Sequence, residues 1–250
     1  MNEKEINYSL KKYMEEIVQN DLDKFDTFTR WGDSEKEEFK VLLENLKKPY
    51  DRSIETTKSK GDRLENLVEF IIKKSYFFEI YKNVHTETNE IDEVIILSDR
   101  GKQAIKRFHL SRELIPIEED MFLGECKNYD TSLGVTYVGK FYSLMTVTGV
   151  AFGIVFTQKG LSGDSEGYKD AYGLTKVLRM VEKNKNKGKD FYLLTFTLED
   201  YEKLLQGKTF FELIKAKKLE MQMASDYNNF IKDNKHIAED EVKRIVGEIK

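Results

Sequence analysis

The sequence predicts a mixed α/β fold, of the α+β type with a mixed central sheet. Short runs rich in β-branched and aromatic residues alternate with segments whose apolar residues recur at helical spacing. Two of the strand-like runs are joined by a short polar turn, which is typical of an antiparallel hairpin. Helical patterns separate the later strands, and this favours crossover connections with helices on both faces of the sheet.

The first part of the chain is predicted to form two helices. An apolar face recurs in each of them: Ile6, Leu10, Tyr13, Met14, Ile17 and Val18 in the first, and Phe39, Leu42, Leu43 and Leu46 in the second. The polar segment 53–62 is predicted to be a linker. An amphipathic helix follows it, with Leu64, Leu67, Val68, Ile71 and Ile72 on one face. These patterns define an N-terminal helical region, residues 1–58.

Five strands are predicted in the central domain, residues 59–200. The strands are 77–84, 90–97, 121–128, 150–157 and 191–197, with a hairpin turn at 85–89, helices at 136–147 and 173–184, and a basic turn at 183–190. Residues 98–120 are a polar, charged insert. The remainder, residues 201–250, is predicted to be a C-terminal helical extension that ends in the stripe Val242, Ile245, Val246 and Ile249.

The composition excludes several classes of protein. No stretch approaches the roughly 18 to 20 apolar residues that cross a bilayer, and the charged N-terminal segment lacks the apolar centre of a signal peptide. A single cysteine, Cys126, excludes an intrachain disulfide and a cysteine-based zinc site, and the three histidines are scattered. We therefore expect a cytoplasmic protein without a membrane partner. The net charge of −4 does not exclude a nucleic-acid binder, since a local basic surface can bind phosphates.

One Glu-x-Lys tripeptide stands out because of its predicted strand. Residues i and i+2 of a strand project from the same face, whereas in a helix they lie about 200° apart. Other Glu-x-Lys tripeptides of this chain, such as 241–243, fall in helical patterns. Glu125 and Lys127, in the run FLGECKN, can therefore share a site, and Cys126 between them points to the other side as a small core residue.

Asp92 is expected to join this pair. It lies in the second strand of the hairpin, and a meander would place that strand beside the strand that carries Glu125. Two carboxylates on one sheet face repel each other unless a cation lies between them. A hard ion such as Mg²⁺ or Mn²⁺ suits two oxygen ligands of this kind. Glu65, near the start of the helix before the hairpin, is a third carboxylate candidate.

This succession resembles the PD-(D/E)xK restriction-endonuclease-like superfamily, and within it the Mrr-like and resolvase-like branch. The resemblance covers about residues 61–160 and rests on KGDRLENLVEF, NEIDEVI, FLGECKN, a helix and the strand AFGIVFT, in that order. It implies an αβββαβ core. The chain departs from the family pattern in having Ile91 instead of Pro before Asp92, Leu64 instead of an aromatic residue before Glu65, and a longer insert at 98–120.

The resemblance also implies an activity. It assigns catalytic roles to Glu65, Asp92, Glu125 and Lys127, and it implies Mg²⁺ or Mn²⁺ bound by Asp92, Glu125, the backbone carbonyl of Cys126, and Glu65. Proteins of this family hydrolyse phosphodiester bonds with a metal-activated water. The expected function is a metal-dependent DNA endonuclease used in restriction or defence against foreign DNA. A branched-DNA resolvase is a variant of the same class.

The sequence is also compatible with a binding or assembly module that has no catalytic activity. The acidic balance and the helical flanks suit a nuclease-like fold that binds DNA or assembles with other proteins without turnover, and the flanks are candidates for a homodimer or a partner-protein complex. Three further basic features have a solvated or a phosphate-binding interpretation: Lys140, the basic turn 183–190, and the insert cluster of Arg100, Lys102, Lys106 and Arg107.

Overall fold

The protein is described by a computed structural model over residues 3–51, 53–85, 90–163, 170–185 and 190–223. The helices are α1 (Glu3–Thr29), α2 (Asp33–Lys47), α3 (Thr57–Lys74), α4 (Asp99–Phe108), α5 (Val135–Thr148), α6 (Asp170–Lys185), α7 (Leu198–Leu205) and α8 (Phe210–Met223). The strands are β1 (Phe78–His85), β2 (Glu90–Leu97), β3 (Met121–Lys127), β4 (Phe152–Thr157) and β5 (Tyr192–Phe196). None of the described helices is long and apolar enough to cross a membrane.

The strands form one five-stranded mixed sheet in the order β1-β2-β3-β4-β5. β1 and β2 are antiparallel, as the hairpin pattern predicts, and β2 and β3 are antiparallel as well. β3, β4 and β5 are parallel, because α5 and α6 carry the chain back between them. The predicted mixed sheet with crossover helices is therefore confirmed.

The two faces of the sheet differ in how completely they are covered. One face carries Phe78, Phe122 and Phe156, all buried, and the ring of Phe211 from α8 lies 6.1 Å from that of Phe78. On the other face α5 covers the middle of the sheet, where a Cβ on Gly153 would touch Met145 and Phe141. That second face is open over the hairpin, where Tyr81 is exposed. The sheet therefore has a packed face and a half-open face.

The N-terminal helices belong to the same hydrophobic core as the sheet. The ring of Phe25 in α1 stacks on Phe77 with 5.4 Å between centroids, and Phe39 in α2 lies 5.6 Å from Phe70 in α3. Trp31, between α1 and α2, packs against Phe39 at 4.6 Å. The last turns of α1 therefore pack against α8 and the residue before β1, and α2 packs against α3.

The prediction of a linker at 53–62 is wrong over its second half, because α3 begins at Thr57. The hydroxyl of Thr56 accepts a hydrogen bond from the backbone N–H of Ser59 at 3.1 Å and caps the helix. The first turn of α3 is polar, so its hydrophobicity resembles that of a loop. The capping residue is the feature that marks the helix start.

The insert at 98–120 also contains a helix that the apolar pattern does not predict. α4 begins after Ser98, whose hydroxyl accepts a hydrogen bond from the N–H of Gly101 at 3.0 Å. Some predicted features lie outside the described residues: 86–89 of the hairpin turn, 186–189 of the basic turn and the stripe Val242, Ile245, Val246 and Ile249.

Gly101 allows α4 to pack closely on the sheet. A Cβ at this position would overlap the carbonyl oxygen of Phe77 and lie 2.9 Å from its Cα. Because backbone atoms cannot move aside as a flexible side chain can, we expect Gly101→Ala to lower the free energy of unfolding by about 2 to 3 kcal/mol. Urea denaturation measures this. The control is Gly61→Ala in α3, where a Cβ has open space and where alanine should stabilise by up to about 1 kcal/mol. Equal effects of the two changes would contradict the packing argument.

Candidate active site

The candidate site lies where β2 and β3 separate. The last pair in their register is Glu93 with Gly124, and the next residues along the two strands are Asp92 and Glu125. From there β2 continues beside β1 only, and β3 continues beside β4. Neighbouring residues of a strand point to opposite sides of the sheet. The side chains of Asp92 and Glu125 therefore project from the half-open face, and the side chain of Glu93 projects from the packed face.

The structure brings Asp92, Glu125 and Lys127 together. The ammonium of Lys127 donates a hydrogen bond to Oδ2 of Asp92 at 2.7 Å and forms an ion pair with Oε1 of Glu125 at 2.9 Å. The three side chains are 27%, 17% and 22% exposed, in that order, so the cluster is shielded yet open to solvent. Two acids and one amine therefore form a single cluster on the half-open face.

The charges of this cluster shift its pKa values. Burial raises the pKa of Glu125 above its ordinary value, the charge of Asp92 raises it further, and Lys127 opposes both. Burial alone would lower the pKa of Lys127, but Glu125 and Asp92 outweigh it and hold that pKa above its ordinary value. Lys127 is therefore a positively charged hydrogen-bond donor at neutral pH.

The backbone of Cys126 contacts the same cluster. Its N–H donates to Oδ2 of Asp92 at 3.3 Å. Its thiol lies on the packed face, where burial first and the carboxylate of Glu93 second raise its pKa well above the ordinary value. The predicted core position of the Cys126 side chain agrees with this placement.

Glu65 is placed apart from the other three residues. Among the residues that the structure describes, its ion-pair partner is Lys82, at 3.6 Å. Lys82 stands opposite Glu93 in the β1–β2 register and also pairs with Glu69 at 3.0 Å. Glu65 therefore lies on the packed side of the sheet with Lys82, Glu69 and Glu93, and its charge contributes to the raised pKa of Glu93.

Glu93 is a carboxylate of this region that the sequence analysis did not single out. It is fully buried, and within the described part of the chain neither of its oxygens has a hydrogen-bond partner. Burial is the main cause that raises its pKa to about 8; the thiol of Cys126 opposes the shift, and the charge of Asp92 adds to it. The signal was present in the alternation Ile91, Glu93, Ile95 and Leu97, which places Glu93 in the row of core residues.

Gly124 is required beside this buried carboxylate. A Cβ on Gly124 would lie 2.8 Å from Oε2 of Glu93 and 3.1 Å from its Cβ. The glycine of FLGECKN therefore makes room for Glu93 on one side of the strand, directly before Glu125 on the other side. The run changes from apolar to charged residues directly after Gly124, where the pairing of β2 with β3 ends.

Asn128 fixes the end of β3 to its neighbours. Its side-chain amide donates to the carbonyl of Lys60 in α3 at 2.6 Å, and its oxygen accepts from the side-chain amide of Gln158 at 2.6 Å. Asn128 is buried, so these bonds are shielded from water. The strand segment that carries Glu125 and Lys127 is therefore held against both α3 and the end of β4.

The carboxylates of Asp92 and Glu125 suit a hard divalent cation that takes few of its ligands from the protein. Among the described residues no group of three or more His, Cys, Asp or Glu side chains is placed to hold a metal ion. Asp92 and Glu125 are two carboxylates that converge on one cationic group. Mg²⁺ is often bound through one or two carboxylates while it keeps several waters, so these two residues fit it.

The half-open face near the site carries aromatic and basic groups. Tyr129 is 40% exposed, and its ring meets that of Tyr137 at 5.5 Å in an edge-on arrangement. A hydrogen bond with Tyr137 is the main cause that raises the pKa of Tyr129, and the charges of Lys127 and Glu125 also act on it. The exposed Lys140 of α5 lies close enough to oppose the raised pKa of Glu125.

The basic cluster of the insert lies elsewhere. α4 follows the end of β2 opposite to the end that carries Asp92, and six residues of strand correspond to about 20 Å. Arg100 stacks on the ring of Tyr76 at 4.5 Å and donates to the carbonyl of that residue. The cluster of Arg100, Lys102, Lys106 and Arg107 is therefore not part of the candidate site.

Comparisons of this chain with models of protein families, with curated proteins and with solved structures found no match.

Proposed function

We propose that this chain is a metal-dependent DNA endonuclease of the restriction-endonuclease-like type. The observation that carries the proposal is the convergence of Asp92 and Glu125 on the ammonium of Lys127, at the point where two paired strands separate. Apart from α4 in the insert between β2 and β3, the element order around this site, α3-β1-β2-β3-α5-β4, is the order that the resemblance implies. A role in restriction or defence against foreign DNA is part of the proposal.

Each residue of the site has a proposed task. Asp92 and Glu125 would hold Mg²⁺ or Mn²⁺, and the bound ion would supply Lewis-acid polarisation of a phosphoryl oxygen. Lys127, protonated at neutral pH, would balance the negative charge that develops on the phosphate. The reaction adds water across one bridging P–O bond, so the products are a phosphate monoester and an alcohol.

The surroundings of the site support a nucleic-acid substrate. Tyr129 and Tyr137 offer aromatic faces on which a base can stack, and Lys140 offers a charge for the backbone. These groups border the half-open face, so an extended polymer could reach the carboxylates without entering a closed cavity. The net charge of −4 then requires that attraction of DNA is local.

A second candidate is a DNA-binding or assembly module without turnover. The observation that favours it is the ion pairing itself, because Asp92, Glu125 and Lys127 satisfy one another's charges and would form a stable strand-end cluster without a metal ion. In that case the site would be structural.

Cleavage assays with and without a metal ion test the proposed function. The full chain is incubated with supercoiled plasmid, linear duplex, a four-way junction, single-stranded DNA and RNA, in Mg²⁺, in Mn²⁺ and in excess chelator. We expect DNA cleavage that disappears in chelator and returns when Mg²⁺ is restored, because the two carboxylates hold the ion. Preference for the four-way junction over linear duplex would identify the resolvase variant.

Calorimetric titration with Mg²⁺ and Mn²⁺ separates the two candidates. Binding of either ion together with cleavage supports the nuclease. Binding of DNA with no cleavage, and with no heat of metal binding that differs from that of the Asp92→Ala variant, would refute the nuclease in favour of the binding module.

A further inference from the structure

Helix α4 carries an exposed cationic face on a chain whose net charge is negative. Arg100, Lys102, Lys106 and Arg107 are all exposed, and Asp99 is the only acidic residue of this helix. Four basic residues against one acidic residue give the helix a formal charge of +3, whereas the whole chain has −4. Positive charge is therefore concentrated on α4.

The four cations of α4 have no ion-pair partner among the residues that the structure describes. The other described arginines each form an ion pair with a carboxylate: Arg30, Arg63, Arg112 and Arg179. Arg100 instead lies 4.5 Å from the centre of the Tyr76 ring and donates a hydrogen bond to the carbonyl of Tyr76 at 3.1 Å. These contacts hold the guanidinium in place without neutralising its charge.

The acidic residues at the other end of the insert do not pair with this face either. They contact other groups: Glu118 pairs with Lys218 at 3.6 Å, Asp120 pairs with Arg112 at 3.5 Å, and Glu119 accepts a hydrogen bond from the backbone N–H of Ala151 at 2.9 Å. The opposite charges of the insert are therefore segregated, and the charge of α4 is left for an external anion.

The arrangement of these cations is unfavourable for the helix itself. Lys102 and Lys106 are four residues apart and so are neighbours on the helix surface, where like charges destabilise a helix. Arg100 and Lys102 lie within four residues of the helix start, where the helix dipole disfavours positive charge. Helix stability alone therefore does not account for the pattern, whereas binding of an anion does.

An open area of the sheet connects α4 with the candidate site. The start of α4 lies about 20 Å along β2 from Asp92. On the half-open face between them Tyr81 is 49% exposed. The hydrogen bond with Glu79 is the main cause that raises the pKa of Tyr81, and the charge of Asp99 adds to it, so the start of α4 lies near this open area.

We propose that the exposed face of α4 binds the phosphate backbone of the DNA whose scissile bond lies at the candidate active site. The inference rests on the proposed function for the identity of this polymer. At 3.4 Å per base pair, about six base pairs of duplex span the 20 Å between the two regions. Contacts of α4 with phosphates would position the substrate without reading its base sequence.

Two other anionic partners fit the structure less well. A helix that binds a membrane surface exposes an apolar face, but in α4 Ala104 is buried and the ring of Phe108 packs against Phe28 at 5.2 Å. An acidic protein segment offers the same charge as DNA. DNA is favoured because the cluster of Asp92, Glu125 and Lys127 lies on the half-open face that the start of α4 borders.

Fluorescence anisotropy of the full chain with a labelled duplex of about 20 base pairs, in excess chelator, measures binding without cleavage. Lys102→Gln with Lys106→Gln should weaken binding by roughly tenfold and reduce the slope of log affinity against log salt by about 2, because two phosphate contacts and their released counterions are lost. Glutamine has a helix propensity close to that of lysine, so α4 should stay folded.

The matched control is Lys36→Gln with Lys40→Gln. These two lysines are also four residues apart on a helix, but α2 packs against α3 on the packed side of the sheet. Their replacement should leave both the affinity and the salt slope unchanged. An equal loss of affinity in the control variant would overturn the assignment of the contact to α4.

Three further results would overturn the proposal. They are a wild-type chain that binds no DNA, an α4 double variant with the affinity and salt slope of the wild type, and polyglutamate that competes for the wild type as strongly as DNA of equal charge. Cleavage in Mg²⁺ is measured in parallel. Binding that depends on α4 without any cleavage would support this surface and refute the nuclease, whereas cleavage with unchanged binding by the double variant would do the reverse.

Discussion

Replacing Asp92 by asparagine should lower the rate of Mg²⁺-dependent DNA cleavage by roughly 10³-fold or more. The change keeps the shape of the side chain but removes one of the two charges that would hold the ion, and it weakens the hydrogen bonds that Oδ2 accepts from Lys127 and from the Cys126 N–H. Single-turnover cleavage of a labelled duplex measures the loss. Asp190→Asn is the matched control, since Asp190 is also ion-paired, at 3.1 Å to Arg179, but lies outside the site.

Lys127→Met should change Mg²⁺ binding and the cleavage rate in opposite directions, so it separates metal binding from catalysis. In the structure the Lys127 ammonium is the cation between Asp92 and Glu125, so it competes with a metal ion for their oxygens. Its removal should tighten Mg²⁺ binding in calorimetry while it lowers the cleavage rate by roughly 10²-fold or more. A variant that binds Mg²⁺ no better and cleaves as fast as the wild type would contradict both roles of Lys127.

Glu93→Gln should remove a large pH dependence of stability. The pKa of Glu93 is about 8 in the folded chain and near its ordinary 4.5 when unfolded, so the folded state binds a proton that the unfolded state releases. The stability that depends on this proton is complete below pH 4.5 and is lost as the pH rises to about 8. By linkage the loss amounts to roughly 3 to 5 kcal/mol.

Urea denaturation of both proteins from pH 4.5 to pH 8.5, in chelator, measures the difference. We expect similar free energies of unfolding at the acidic end and a variant that is more stable by roughly 3 kcal/mol or more at the basic end. Glu38→Gln, an exposed glutamate of α2, should show no such divergence. Parallel stability curves for wild type and Glu93→Gln would show that Glu93 is not held protonated by burial.

The sequence was sufficient to predict the convergence of Asp92, Glu125 and Lys127 because strand geometry determines it. Residues two apart in a strand share a face, and sequential strands tend to be neighbours, so the hairpin and the third strand bring these side chains together. The position of Glu65 depends on the rotation of α3 about its axis relative to the sheet. Packing sets that rotation, and the apolar pattern of one helix does not specify it.

Two of the features that the sequence analysis missed, α4 and the burial of Glu93, have local causes. α4 has few apolar residues and is defined by the Ser98 cap and the close approach of Gly101 to Phe77, and neither contributes to hydrophobic periodicity. Glu93 is a charged residue at a core position of the strand pattern. Its residue type suggested exposure to solvent, whereas its position suggested burial. Position decided the outcome, because Gly124 leaves the space that the carboxylate occupies.

The location of α4 bears on how the protein can vary over evolutionary time. The connection between β2 and β3 leaves and rejoins the sheet at the end remote from Asp92, where the N–H of Leu97 donates to the carbonyl of Asp120 at 2.7 Å. Strand pairing, and not the connecting chain, sets the spacing of Asp92 and Glu125. Segments could therefore be gained or lost in this connection without altering the chemistry at the other end.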